Sequence, residues 1–329
     1  MKGLVSVIIL NYNNYKFTID CLKSLTHQNY KNFEVVLVDN GSKYNLFLKL
    51  KEQLEQFKSI LRLNLIRSEK NLYFGAGNNK AIKIAKGEYI CLLNYDTEVM
   101  PNFLQNMVEF LEKNPQVGMI SPKIKLFSKK ELIWTTAGQV NFNSGDVVTN
   151  RGFLISDPDD KIFNKIEPID FAPGTALFVR KAYLEQIGLI DEIYFMYWED
   201  PDWNFRAKEL GYASYYVPTT IVYHKIPILR SIYDRRQIFN DFFFKRNIQI
   251  FVWKFASIEQ IFKFYIKFFI ALYFEVMKRL RRKEFFVLYV TSIAIWKGFR
   301  IGLKRRTHRS CRKNLIKDYY FVQKLQNVK

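Results

Sequence analysis

Met1–Leu93 alternates two hydrophobic periods. Four short apolar runs, Leu4–Leu10 (LVSVIIL), Phe33–Val38 (FEVVLV), Leu63–Ile66 and Glu88–Leu93, read as strands buried within a sheet. Between them apolar residues recur at helical spacing, as at Ile19, Leu22 and Leu25, with further helices to about Phe57 and over Asn71–Lys86. This strand–helix order predicts an α/β fold: a parallel or mostly parallel sheet covered by helices on both faces. Several strands run into polar clusters, at Asn11–Asn14, Asp39–Ser42 and Asn94–Glu98. Ligands of such sheets bind beyond the carboxyl ends of the strands, so the clusters are expected to meet in space.

Residues 121–170 read as strands and loops, with turns at Asn143-Ser144-Gly145-Asp146 and Asp157-Pro158-Asp159-Asp160. A strand at Thr175–Arg180 and a helix near Lys181–Ile187 lead into the aromatic and acidic run Tyr194–Arg206. After about Leu229 the pattern changes to long helices rich in Phe, Ile, Tyr, Lys and Arg. The longest uncharged apolar stretch, Phe285–Trp296, has twelve residues. A bilayer-spanning helix needs about 20, so no spanning segment is expected. The apolar run at the N-terminus is expected to be the first strand, not a signal peptide.

Composition changes the picture in one respect. With 49% apolar and 17% aromatic residues among 329, a disordered chain is excluded. The net charge of +20 is lopsided: residues 1–229 hold 27 basic and 25 acidic residues, residues 230–329 hold 24 and 6. Two regions in different surroundings are therefore expected, 1–229 and 230–329. The three cysteines, Cys21, Cys91 and Cys311, form no CxxC pair, which excludes a disulfide framework or zinc knuckle and fits a reducing compartment.

Each polar cluster carries a chemical reading and a bland one. Asp39, at a strand end, suits hydrogen bonding to a base or ribose, or an Asx turn that closes the loop. Asn71–Asn79 leads through glycines into a helix whose N-terminus suits a diphosphate. It lacks GxGxxG and Walker signatures, and a turn with positive φ at Gly75 or Gly77 explains it equally. Asn94 and Asp96 alternate on one side of a strand end, as oxygen ligands of Mg²⁺ or Mn²⁺ would, or as helix caps. Glu199, Asp200 and Asp202 lie among Tyr197, Trp198 and Trp203, where burial raises a carboxylate's pKa toward that of a general base. The same residues suit a helix start with Asp200 as cap and Pro201 first, and the two readings are compatible. His224 follows a strand; a lone histidine is more often structural than a ligand, and His27 and His308 have less to recommend them.

Taken together, VSVIILNYN (5–13), VVLVDNGS (35–42), NLYFGAGNN (71–79), GEYICLLNYDTEV (87–99), PGTALFVRK (173–181), GLIDEIYFMYWEDPDW (188–203), RAKELGY (206–212) and VYH (222–224) resemble the inverting family 2 glycosyltransferases of GT-A fold. The subgroup most similar in appearance is the bacterial rhamnosyltransferase-like enzymes of surface-polysaccharide assembly. The resemblance implies that Asn11 and Asn13 line a nucleotide pocket and that Asp39 binds the imide of uracil or thymine. It implies that Asn71, Gly77 and Asn78 lie along the ribose and diphosphate. Asn94-Tyr95-Asp96 stands where the family has Asp-x-Asp, with Asp96 as ligand of Mg²⁺ or Mn²⁺; Asn94 leaves that site one charge short. His224 matches a histidine that completes the metal shell in some relatives. Glu199-Asp200 matches the pair whose aspartate is the base, and Trp198 and Trp203 suit acceptor stacking or core packing.

The activity so implied is inverting, metal-dependent transfer from dTDP-rhamnose or a UDP-sugar to a hydroxyl of a lipid-linked glycan or polysaccharide of the cell envelope. A nucleotidyltransferase with a related sheet is the enzyme alternative, but no basic pyrophosphate signature stands near residue 11. A non-catalytic sugar-nucleotide-binding module is the other; retention of Asp96, Asp200 and His224 argues against it. In 230–329, helices at Phe242–Lys254, Ile258–Arg282 and Phe285–Arg306 carry the basic clusters Lys278–Lys283 and Lys304–Lys313. They suit an anionic membrane surface, here the cytoplasmic face of the inner membrane, or a helical homodimer interface. The helix-spaced aromatics are unlike a base-stacking sheet and argue against nucleic acid.

Overall fold

The four apolar runs form β1 (Val5–Asn11), β2 (Phe33–Asn40), β3 (Leu63–Ser68) and β4 (Tyr89–Leu93), joined through α1 (Tyr15–Thr26), α2 (Tyr44–Leu54) and α3 (Tyr73–Ile82) in a computed structural model. It describes residues 3–145, 147–226 and 235–307. His308, Cys311, the rest of the second basic cluster and the expected boundary at Leu229 lie outside the described residues. β5 (Thr97–Val99), α4 (Phe103–Lys113), β6 (Val117–Leu126), β7 (Ile133–Thr135), β8 (Ala137–Val140), β9 (Val148–Arg151), β10 (Glu167–Ile169) and β11 (Ala176–Arg180) follow. Next come α5 (Leu184–Ile187), α6 (Glu199–Glu209), β12 (Ala213–His224), α7 (Arg235–Phe255), α8 (Ile258–Arg281) and α9 (Phe285–Thr307).

Contacts divide the chain into two compact units. The first comprises Met1–Gln139, Asn150–Asp191 and Asp200–Pro227. Its sheet runs β10-β12-β6-β11-β4-β1-β2-β3, with β5 beside β12 and β7 beside β6. β1 is parallel to both β2 and β4, and β2 to β3. Alternate β1 residues serve opposite faces: Val5, Val7 and Ile9 join one core cluster and Ile8 the other. That is why these strands lack polar alternation. β11 enters antiparallel between β4 and β6, an arrangement no local period encodes. The helix expected over Lys181–Ile187 starts as a 3₁₀ turn, Lys181–Tyr183, before α5.

The second unit comprises Val140–Thr149, Glu192–Glu199 and Ile228–Lys329, and its helices are α7, α8 and α9. Ser257 and Gln260 start α8 with a reciprocal capping box. Gly298 and Gly302 bring α9 against α7: an added Cβ would meet Arg246 O at 2.2 Å and Trp253 Cβ at 2.8 Å. Along α8, Ile258, Phe262, Ile266, Ile270, Tyr273 and Met277 form an exposed apolar stripe. One expectation changes here. Phe285–Arg306 of α9 is long and apolar enough to cross a membrane, although 33% of its most apolar window is buried inside the protein. Lys297 ends the uncharged run early without removing the apolar character of the helix around it.

Candidate active site

Register brings the strand-end clusters together. Asn11 of β1 pairs with Asp39 of β2, which pairs with Arg67 of β3. Asn11 Nδ2 donates to Asp39 Oδ1 at 2.9 Å, and Thr18 Oγ1 donates to Asn11 Oδ1 at 2.9 Å, fixing the amide's orientation. Ser42 Oγ accepts from the Asn13 backbone N–H at 2.8 Å, and Asn13 Oδ1 accepts from Lys43 N at 2.8 Å. Asn13 is held at φ 56°, a left-handed conformation for which asparagine is suited. Asp39 Oδ2 is buried with no hydrogen-bond partner in the protein, and the Arg67 guanidinium stands 3.6 Å away. An orphaned carboxylate oxygen is costly unless a ligand donor satisfies it, and a pyrimidine imide N–H is such a donor. Ser42, from the Asp39–Ser42 cluster, and Arg67, which lies outside every motif, join this group. Arg67 stands at the end of β3, where the register sets it beside Asp39 and its guanidinium lies over the Phe47 ring, 4.2 Å from the centroid.

Asn71 lies at the entry to α3, where its Oδ1 accepts from Asn40 Nδ2 at 3.0 Å and Tyr73 N at 2.8 Å. The left-handed turn falls at Tyr73 (φ 58°), not at Gly75 or Gly77. Gly77 lies mid-helix, where an added Cβ would stand 2.6 Å from a Leu10 methyl, so its lack of a side chain serves close helix–strand packing. Asn78 is likewise buried, its amide bonded to Phe74 O at 2.9 Å.

Asn94, Tyr95 and Asp96 form the half-buried loop between β4 and β5. β12 runs antiparallel to β5 and pairs His224 with Thr97, which sets the imidazole beside Asp96. His224 Nε2 and Asp96 Oδ1 are 3.1 Å apart, and buried His224 Nδ1 has no hydrogen-bond partner in the protein. A carboxylate oxygen and an imidazole nitrogen set side by side are donors that would suit Mg²⁺ or Mn²⁺. Among the described residues no third His, Cys, Asp or Glu completes a metal cluster. Mg²⁺ in particular is held by few protein ligands plus phosphates and water. Cys21, nearby at 3.8 Å from Asn94 O, has its thiol pushed up to about 12 by burial and is no nucleophile.

Asp200 stands in the first turn of α6. Its Oδ2 accepts from Gly174 N at 3.0 Å, while Asn94 N donates to Thr175 O at 3.0 Å. Adjacent residues of one turn thus hold Asp200 and the loop that carries Asp96. Burial pushes the Asp200 carboxyl up to about 6, against the opposing Gly174 N–H. Glu199 is buried. Trp203 is a core residue, 1% exposed, with Nε1 bonded to Gly188 O at 2.9 Å, and so presents no face to an acceptor. Trp198 is also buried, its ring packed on Phe244 and Phe251. A half-buried tryptophan that the motifs missed, Trp134 of β7, packs edge-on against His224 at 5.8 Å and Phe153 at 5.2 Å. Its signal in sequence is only a Trp in a short strand.

Residues 6–188 match the family described as Glycosyl transferase family 2. An uncharacterized glycosyltransferase of Methanocaldococcus jannaschii is 32% identical over 121 residues, 36% of this chain and 41% of that protein; the chain thus spans about two fifths of that relative's length. The N-acetylglucosaminyl-diphospho-decaprenol L-rhamnosyltransferase of Mycobacterium tuberculosis is 23% identical over 241 residues, covering 68% and 76%. Among solved structures, GalNAc-T7 with UDP, GalNAc and Mn²⁺ superposes with a TM-score of 0.58 at 15% identity, covering 75% of this chain and 51% of that one. The sheet and its flanking helices are those of the GT-A glycosyltransferases. With the match spanning more than half of its residues, this chain belongs to glycosyltransferase family 2.

Proposed function

We propose that the protein is an inverting glycosyltransferase that moves a sugar from a nucleotide-diphosphate donor to an acceptor hydroxyl. The observation that carries this reading is the Gly174–Thr175 turn, which ties Asp200, its carboxyl pushed up to about 6, to the loop of Asp96. Asp200 takes the acceptor's proton as the hydroxyl oxygen bonds to the anomeric carbon. The bond from that carbon to the diphosphate oxygen breaks on the opposite face, so the configuration inverts. Asp39 Oδ2 and Asn11 hold a pyrimidine base, and Asn71 lies toward the ribose. Asp96 and His224 would hold Mg²⁺ or Mn²⁺, which when bound stabilises the charge of the departing diphosphate. Trp134 and Phe153 offer apolar rings to the acceptor sugar, while Trp198 and Trp203 serve core packing.

The donor we favour is dTDP-rhamnose, with a UDP-sugar second, and the acceptor a lipid-linked glycan of the cell envelope; the relationship to the mycobacterial rhamnosyltransferase supports this choice. We divide the chain into a catalytic part, 1–229, and a membrane-associating part, 230–329, on the cytoplasmic face. The exposed α8 stripe and the exposed cations Lys278, Arg281, Arg282 and Lys283 support peripheral docking. The test is transfer and donor hydrolysis across a panel of dTDP-, UDP- and GDP-sugars, with the anomeric configuration of the product read by NMR. Turnover of one pyrimidine donor with inversion is expected. Retention of configuration, or turnover of GDP-sugars alone, refutes the reading.

A further inference from the structure

The segment that leads into Glu199 and Asp200 is backbone-strained. Phe195, Tyr197 and Trp198 have φ of 62°, 64° and 76°, and none is glycine. Bulky residues keep left-handed conformations only where their surroundings impose them. Here the restraint comes from α7. Asn247, fully buried, directs its amide nitrogen to the carbonyls of Tyr194, Met196 and Tyr197 at 2.8, 2.9 and 2.9 Å. Arg246, also fully buried, donates from Nη2 to Ile193 O at 2.6 Å. Its Nη1 donates to Asn247 Oδ1 at 2.9 Å, which fixes the Asn247 amide with its donors toward the segment. Around this polar centre the rings interlock: Phe195 lies on Phe243, and Trp198 on Phe244 and Phe251.

An aromatic helix needs no arginine and asparagine to bury itself. Buried polar groups cost free energy unless partners are supplied, and here four of their bonds go to carbonyls of one strained segment. We infer that Arg246 and Asn247 are positioning residues: they hold Ile193–Trp198, with its left-handed turns at Phe195, Tyr197 and Trp198, on the course that leads into Glu199 and Asp200. This gives the C-terminal helices a second task besides membrane docking. The inference rests on the reading of Asp200 as the base.

The experiment compares the full chain with Asn247→Leu, Tyr197→Gly and the double variant, each first checked for cooperative thermal unfolding. Asn247→Leu keeps the volume but removes the donors. It should lower kcat for transfer by about 10²-fold, the scale of a small misplacement of a catalytic group, with nucleotide affinity unchanged. Hydrogen exchange should quicken in the peptide spanning residues 192–200. Glycine adopts positive φ without strain, so adding Tyr197→Gly should return about tenfold of the lost kcat, a rescue that a general loss of stability does not produce. Unchanged kcat or exchange in Asn247→Leu, a matching loss of nucleotide affinity, or no rescue in the double variant would each overturn the inference. Full activity of Asp200→Asn would instead overturn the base, and exchange in the segment would still report on the clamp by itself.

Discussion

Replacing Asp200 by asparagine should damage activity and improve stability. The Asp200 carboxyl is pushed by burial from 3.8 to about 6. At pH 7 the folded protein carries it ionised, at a cost of about 3 kcal/mol for a shift of roughly two units. The sign follows from proton binding. Between pH 3.8 and 6 the folded state holds the proton more tightly than the unfolded state, so this contribution to stability grows as pH falls through 6 and is complete below 4. An asparagine in its place would be neutral throughout, and the side-chain oxygen would still accept from Gly174 N. Chemical denaturation should therefore find Asp200→Asn more stable than the parent by up to about 3 kcal/mol at pH 8, and equal to it near pH 4. Over the same range the parent's kcat should fall about tenfold per pH unit below 6, as the base becomes protonated. The variant should lose about 10²- to 10⁴-fold in kcat with nucleotide affinity kept. Lower stability of the variant at pH 8, or a parent whose kcat is flat from pH 7 to 5, would refute the argument.

Three other outcomes are expected. Asp96→Ala or chelation by EDTA should abolish transfer, and added Mn²⁺ should restore the chelated parent but not the variant; full activity in metal-free buffer counts against Asp96 and His224 as a metal pair. Trp134→Ala should raise the acceptor KM at least tenfold while calorimetry shows unchanged nucleotide binding, and an unchanged KM would return Trp134 to a packing role. Reversing Lys278, Arg281, Arg282 and Lys283 to glutamate should release the protein from anionic vesicles, since each cation near the surface contributes about 1 kcal/mol. Equal sedimentation of parent and variant with neutral and anionic vesicles would rule out the electrostatic part of docking.

The sequence by itself determined what depends on neighbours within a few residues. Apolar runs specified β1, β2 and β4, because a strand buried on both faces has little polar phase to show, while β3 at the sheet edge is only partly buried. The polar residues after those runs specified Asn11, Asp39 and Asp96 as candidates, because strand ends are where such sheets open to ligands. The charge of the last hundred residues was equally plain in composition. Only the tertiary structure decided what depends on register and packing. Asp96 and His224 are 128 residues apart and meet because β12 runs antiparallel beside β5. Gly77 fits as a phosphate-loop glycine in a motif, yet Leu10 fills the space beside it. Trp203 and Trp134 are the same residue type, and only the fold makes the first a fully buried core ring and leaves the second half-buried beside His224. Arg246 and Asn247 lie in a helix whose sequence shows only aromatics and charge; their task exists because folding sets them beside carbonyls some fifty residues earlier, where strained backbone needs donors that no local pattern can supply.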